Sequence, residues 1–250
     1  MSPFKTLSGF GLVALLALPL AAQVDEEVPA VRADFGYASR YVFRGVERAG
    51  QSAQAGVELA HGNFRGSLWA NQPFDRGGTM ETNLNAAYAW QPVNGLGLEA
   101  SVAHSWFGEV PGGGVKRSLE AGLAGTLAAV AGFTPGLAYY HDFRFRADTA
   151  QASVARSIAL TRLGAFLELD FFAGWARGSD WRPDAPGPPR ADSYAYWGGA
   201  ARVPYRIGPH ATITAGLHYA DAAGRSPANG PFGLAAGGQW WATLGVNLDF

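Results

Sequence analysis

Cysteine is missing from the 250-residue chain, which removes disulfide bracing and any lipid anchor attached through a thiol. A basic excess is missing too: 19 Lys and Arg stand against 20 Asp and Glu, so nothing marks the chain for nucleic acid. No metal is expected, because His61, His104, His141, His210 and His218 show no His-x-x-x-His spacing. No cofactor is expected either: Gly112-Gly113-Gly114 lacks the lysine and following helix of a phosphate-binding loop and reads as a flexible loop tip. Beyond residue 22, no apolar run approaches the ~20 residues that a membrane-crossing helix needs.

The first residues look like an export signal. Lys5 supplies a basic start, Phe10 to Leu20 an apolar stretch too short to span a bilayer, and Leu20-Ala21-Ala22 small residues for cleavage before Gln23. Residues 1–22 are therefore expected to be a signal peptide and residues 23–250 one domain. An exported chain without helix anchor or lipidation site is periplasmic, secreted or a barrel. A closed hydrogen-bonded barrel supplies the stability that disulfides do not.

The other terminus points to the barrel. Trp240, Ala242, Leu244, Val246, Leu248 and Phe250 fall on one side of an extended strand, and Gln239, Thr243, Asn247 and Asp249 on the other. An alternating last strand closed by an aromatic residue suits a transmembrane β-barrel, and Phe250 is the expected signal for the barrel-assembly machinery. The same split recurs along the chain. Val31 to Gly45 puts Val31, Ala33, Phe35, Tyr37, Tyr41 and Phe43 opposite Arg32, Asp34, Arg40 and Arg44. Further segments start near Ser52, Phe64, Asn83, Leu96, Ser118, Leu137, Ala150, Leu167, Ala195 and Ile213. With the terminal strand that makes twelve, ten and fourteen being the neighbouring counts. Gly125 to Pro135, small and apolar, leaves room for a register error, and Arg156 falls on the lipid side.

The fold expected is thus all-β: an antiparallel up-and-down transmembrane barrel in the outer membrane of a Gram-negative bacterium. Connections after even-numbered strands are short and two after odd-numbered strands are long, Gly178 to Asp192 and Asp221 to Gly238. That asymmetry puts both termini in the periplasm. Aromatic residues form two girdles at headgroup level: Tyr41, Phe43, Trp106, Phe143, Trp175, Tyr219 and Trp240 outside, Phe64, Trp90, Tyr205 and Phe250 inside. A soluble sandwich also alternates, but explains neither the terminal Phe nor the loop asymmetry.

The chemistry lies in the inward charges. Asp34, Arg40, Arg44, Glu58, Arg65, Glu99, Glu120, Asp142, Arg144, Glu168, Asp170 and Arg202 are the candidate pore-lining residues. In lipid each Arg would cost ~2 to 4 kcal/mol, so the lumen is either wet or internally paired. Arg40 and Arg44 on the outer half of strand one, with Arg65 two strand spacings away, make a candidate anion-attracting cluster that Asp34 and Glu58 could neutralise. Twelve strands at ~4.8 Å spacing and ~40° tilt put the backbone roughly 12 Å from the axis, enough for small solutes to pass. No catalytic site is expected: His104 and Ser105 are neighbours on one strand and point to opposite faces.

The run Ser39-Arg40-Tyr41-Val42-Phe43-Arg44-Gly45, followed by Gln54-Ala55-Gly56 and by Gly62-Asn63-Phe64-Arg65-Gly66-Ser67-Leu68-Trp69-Ala70-Asn71, resembles the opening of the TorF-type porins, the Gcw_chp family of outer-membrane proteins of unknown function. The resemblance implies a barrel with a pore function and carries no catalytic residues. The expected function is passive diffusion of small hydrophilic solutes or ions, with outer-membrane lipid and the assembly machinery as partners. The other reading is a non-conducting barrel with a structural or adhesion role, or an envelope hydrolase.

Overall fold

Period-two alternation without turn residues makes strands, and here it makes them long. The computed structural model describes residues 29–75, 78–108, 117–179, 191–224 and 238–250. The strands are β1 (Ala30–Ala38), β2 (Tyr41–Phe43), β3 (Val46–Ala49), β4 (Ser52–His61), β5 (Phe64–Pro73), β6 (Glu81–Val93) and β7 (Leu96–Phe107), then β8 (Arg117–Leu127), β9 (Thr134–Asp142), β10 (Ala147–Leu160), β11 (Ala165–Gly178), β12 (Asp192–Arg206), β13 (Ala211–Gly224) and β14 (Gln239–Asp249). Twelve of them close an antiparallel barrel in the order β1, β14, β13 and so on down to β4. The remaining two, β2 and β3, pair only with each other.

The seam runs between the first and last strands, from Arg32 opposite Asp249 to Ala38 opposite Thr243. Phe250 extends it, its amide donating to the Val31 carbonyl at 2.9 Å. β1 begins and β14 ends at the barrel end that carries the short turns, beside residues 62–63. Signal-peptide residues 1–22 and the tips of the two long loops lie outside the described residues.

Burial decides what surrounds the barrel. Leu137 and Phe35 on the outer face are 68% and 56% exposed, whereas Ser52, Asn71 and Asn83 on the inner face are 0% exposed. A soluble protein buries the first set and hydrates the second; only lipid outside and polar partners inside make this inversion favourable. Adjacent positions at mid-strand test it. Leu123→Arg on the outer face of β8 should lower stability by ~2 to 4 kcal/mol, and Ala124→Arg on the lumen face by much less. Denaturant unfolding in lipid vesicles measures both, and equal losses would mean that the faces are exchanged.

Residues 125–135 and Arg156 have simple structural explanations. Between β8 and β9 the chain turns at Ala131 and Gly132, both at positive φ (53° and 81°), with Val130 and Phe133 exchanging hydrogen bonds. Arg156 does face outward, near the short-turn rim, where its guanidinium sits 4.7 Å from the Phe133 ring centroid. At the long-loop end Trp106, Phe143, Trp175 and Trp240 are exposed on the lipid face, and the rings of Trp197, Tyr219 and Trp240 follow one another in a tilted row, 5.0 and 4.9 Å between centroids.

Strand one is shorter than its alternation suggests. β1 stops at Ala38, and the continuation through Tyr41 and Phe43 is a hairpin off the wall. Those two aromatics therefore leave the girdle. Tyr41 is 3% exposed and packs against Trp69 on the lumen face of β5.

Candidate functional site: the lumen and its hairpin

Phe43-Arg44-Gly45-Val46 is a two-residue hairpin turn with positive φ at both central positions, 51° at Arg44 and 77° at Gly45. That pattern matches the strand twist and favours a compact hairpin. Gly45 is required twice over. A Cβ there would stand 2.8 Å from the Tyr196 Cβ and 2.9 Å from the Asp221 carbonyl oxygen, so the backbone itself touches the far wall.

The hairpin lies across the lumen. On one side Tyr41 and Ala49 pack on Trp69 of β5; on the other Val46 joins Ala176 of β11 and Tyr194 and Tyr196 of β12. Arg44 crosses to β8, where it donates to both Glu120 carboxylate oxygens at 2.7 and 2.9 Å. Its guanidinium also lies over the Phe43 and Tyr140 rings, 4.6 and 4.7 Å from their centroids. Burial works against that charge, yet Glu120 outweighs it by attraction and hydrogen bonding and holds the Arg44 pKa above its ordinary value. Arg48 reaches Glu81 on β6 at 3.3 Å.

Below the hairpin the wall is charged and paired. Arg65 meets Glu99, and Arg202 meets Asp170, with Glu168 at 3.7 Å. Arg32 donates to Asp249 at 2.9 Å. Asp34 lies over Gly56, where a Cβ would meet its carboxylate, and Glu58 stands opposite Arg32 on β4. These sit on the lumen side, as the alternation requires.

Three candidates, Arg40, Arg44 and Arg144, leave the strand positions expected of them, and Arg65 keeps its lumen face but lies far from the other two. Arg40 lies beyond the end of β1 and bonds Gln239, with Glu47 at 3.4 Å; Arg44 lies at the hairpin tip rather than on a strand. Arg65 is opposite Ala60 at the short-turn end, about 26 Å along the strand from Arg40's end at ~3.3 Å per residue. Screening over ~10 Å at 0.1 M salt separates them, so no three-arginine cluster forms. Arg144 is exposed in the 143–146 turn, because the Asp142 carboxylate accepts the amides of Arg144 and Phe145 at 2.8 and 2.9 Å and turns the chain at the rim. Asp142 is thus held at the rim as a turn-forming group.

Sequence reading missed the inward aromatics. Tyr196, 1% exposed, donates to Gln151 at 2.9 Å across Gly174, whose missing side chain leaves room for the ring. The usable signal was a glycine, Gly174, next to Phe172 on the lumen face of β11. Trp241 stacks on His218 at 5.1 Å, and His218 contacts Thr243 at 2.9 Å. His104 and Ser105 do face opposite sides, the His104 ring lying 4.2 Å from that of Trp106 at the outer face.

Beside the hairpin, toward β10–β14, is an open cavity of about 60 Å³, room for a few waters. Ser153, Asp170, Arg202, His218 and Trp241 line it, with Arg40 at its edge.

No protein-family model matches the chain, and no curated protein sequence does. Solved structures do. The KdgM porin superposes with a TM-score of 0.55 at 9% identity over 88% of this chain and 99% of that one. The NanC porin gives 0.52 at 11% identity, over 87% and 98%. LpxR from Salmonella typhimurium gives 0.52 at 8% identity, over 88% and 99%. These likenesses establish the fold, a closed twelve-stranded barrel of the kind found in outer-membrane porins.

Proposed function

We propose that the chain is an outer-membrane channel for passive diffusion of small hydrophilic solutes, not an enzyme, and that it reaches the outer membrane of a Gram-negative bacterium by signal-directed export and assembly at Phe250. The observation that carries the reading is the polar, charged lumen inside an apolar outer face, together with the porin-type fold. The TorF-type resemblance of residues 39–71 supports the same conclusion.

The solute class follows from the pairing. Arg44, Arg48, Arg65 and Arg202 each sit against a carboxylate, and Arg40 against Gln239 and Glu47. Guanidinium fields cancelled at contact distance leave little positive potential to attract a passing anion. Uncharged or zwitterionic solutes are therefore favoured over simple anions. A KdgM porin has been solved in complex with disordered oligogalacturonate; the paired arginines here argue for a solute with little net negative charge.

One observation favours a second reading: the hairpin crosses the lumen, as it would in a sealed barrel with a structural or adhesion role. Planar-bilayer recording separates the two. The channel reading expects discrete conductance with no anion preference in the reversal potential of a KCl gradient. No conductance from folded, inserted protein would favour the sealed barrel, and a strongly anion-selective current would show that the pairing does not cancel the arginines.

A further inference from the structure

The hairpin is packed unequally against the two halves of the wall. Toward β5 and β6 the gap is filled: Tyr41 on Trp69, Arg48 to Glu81, Asn83 donating to Glu81 at 3.0 Å, and Gln54 donating to Asn71 at 3.1 Å. Asn71 and Asn83 are wholly buried there. Toward β8 and β9 the bidentate Arg44–Glu120 bridge and the Tyr140 ring close it. Toward β10–β14, and as far round as Ala38 of β1 and Gln54 of β4, the described residues leave the cavity, and its lining is of a different kind. Ser153 and Thr243 offer hydroxyls, Trp241 an indole face, and Arg202 and Asp170 a charged pair.

We propose that the β2–β3 hairpin shuts the lumen on its β5–β9 side and leaves one solute lane between itself and the inner faces of β10–β14, so that the lane, and not the full barrel bore, sets which solutes pass. The inference rests on the channel reading and adds a location and a size limit to it. The lane accepts small polar molecules: the indole and hydroxyls suit a small uncharged polyol, while Arg202 beside Asp170 suits a small molecule carrying both charges. The Arg44–Glu120 bridge acts as the positioning pair, because it fixes the tip from which the lane is measured.

The absence of cysteine makes the test clean, since any introduced thiol is the only one. Ser153→Cys puts a thiol in the lane and Asn83→Cys puts one behind the hairpin. A charged aqueous methanethiosulfonate reagent should cut the planar-bilayer conductance of Ser153→Cys several-fold and leave Asn83→Cys and the parent protein unchanged. Replacing residues 41–49 by a short Gly-Ser link should raise conductance several-fold and admit a trisaccharide in liposome swelling that the parent excludes. Heat-modifiable gel mobility confirms that each variant is folded. Block at Asn83→Cys but not at Ser153→Cys, or a loop replacement that conducts like the parent, would overturn the lane while leaving the channel reading intact. Silence from the parent and from the folded loop replacement alike would remove the channel reading and the lane with it.

Discussion

Glu120→Ala should lower the stability of the folded state by about 3 to 5 kcal/mol, because it strands a buried guanidinium that has no other carboxylate within hydrogen-bonding range among the described contacts. The side chains involved are only 10% and 15% exposed, so water screens the pair little. Removing both charges together should recover most of the loss. Arg44→Asn with Glu120→Gln keeps a favourable turn, since Asn before Gly suits positive φ at both positions, and leaves no lone charge. Chemical unfolding in detergent or vesicles gives the midpoints. Part of the cost can also surface as release of the hairpin, which reads out as increased conductance. An unchanged midpoint together with unchanged conductance for Glu120→Ala would show that the bridge holds nothing.

Deleting Phe250 should reduce the folded, heat-modifiable yield severely. Two effects act together. The residue donates the last backbone hydrogen bond across the seam, to Val31 at 2.9 Å, and its ring is 74% exposed on the outer face, available to whatever recognises the terminal strand. Phe250→Tyr keeps the ring and the seam bond and should restore yield, whereas Phe250→Ala keeps only the bond. Parent-like yield from the deletion would show that neither the seam end nor the ring matters for assembly.

The wall was legible in the sequence and the interior was not. Twelve strands follow from alternation because lipid on one side and water on the other impose opposite demands on successive side chains, as in β14 from Gln239 to Asp249. The same rule failed at residue 39. An inward hairpin alternates as well as a wall strand does, with Tyr41 and Phe43 packed on Trp69 and its surroundings instead of in lipid. The discriminating signal was Arg44-Gly45 between an aromatic and a β-branched residue, a two-residue turn inside what reads as one strand. Arg144 failed for a related reason: the period was carried past Asp142, whose side chain takes two backbone amides and ends it. Which charges pair could not be read, since Arg44 and Glu120 are 76 positions apart and nothing local links them.

That separation also orders events in time. The hairpin can form early, from residues a few positions apart, but every surface that receives it comes later in the chain: Trp69, then Glu120, then Ala176 and Tyr196. Bringing such distant partners together carries a closure entropy that rises with the logarithm of the intervening length, and it is recovered only once the last walls stand. The hairpin is therefore a late passenger of barrel assembly, seated when β12 and β13 arrive. Until then its apolar side chains remain unburied, and the nascent protein must keep them from sticking to anything else.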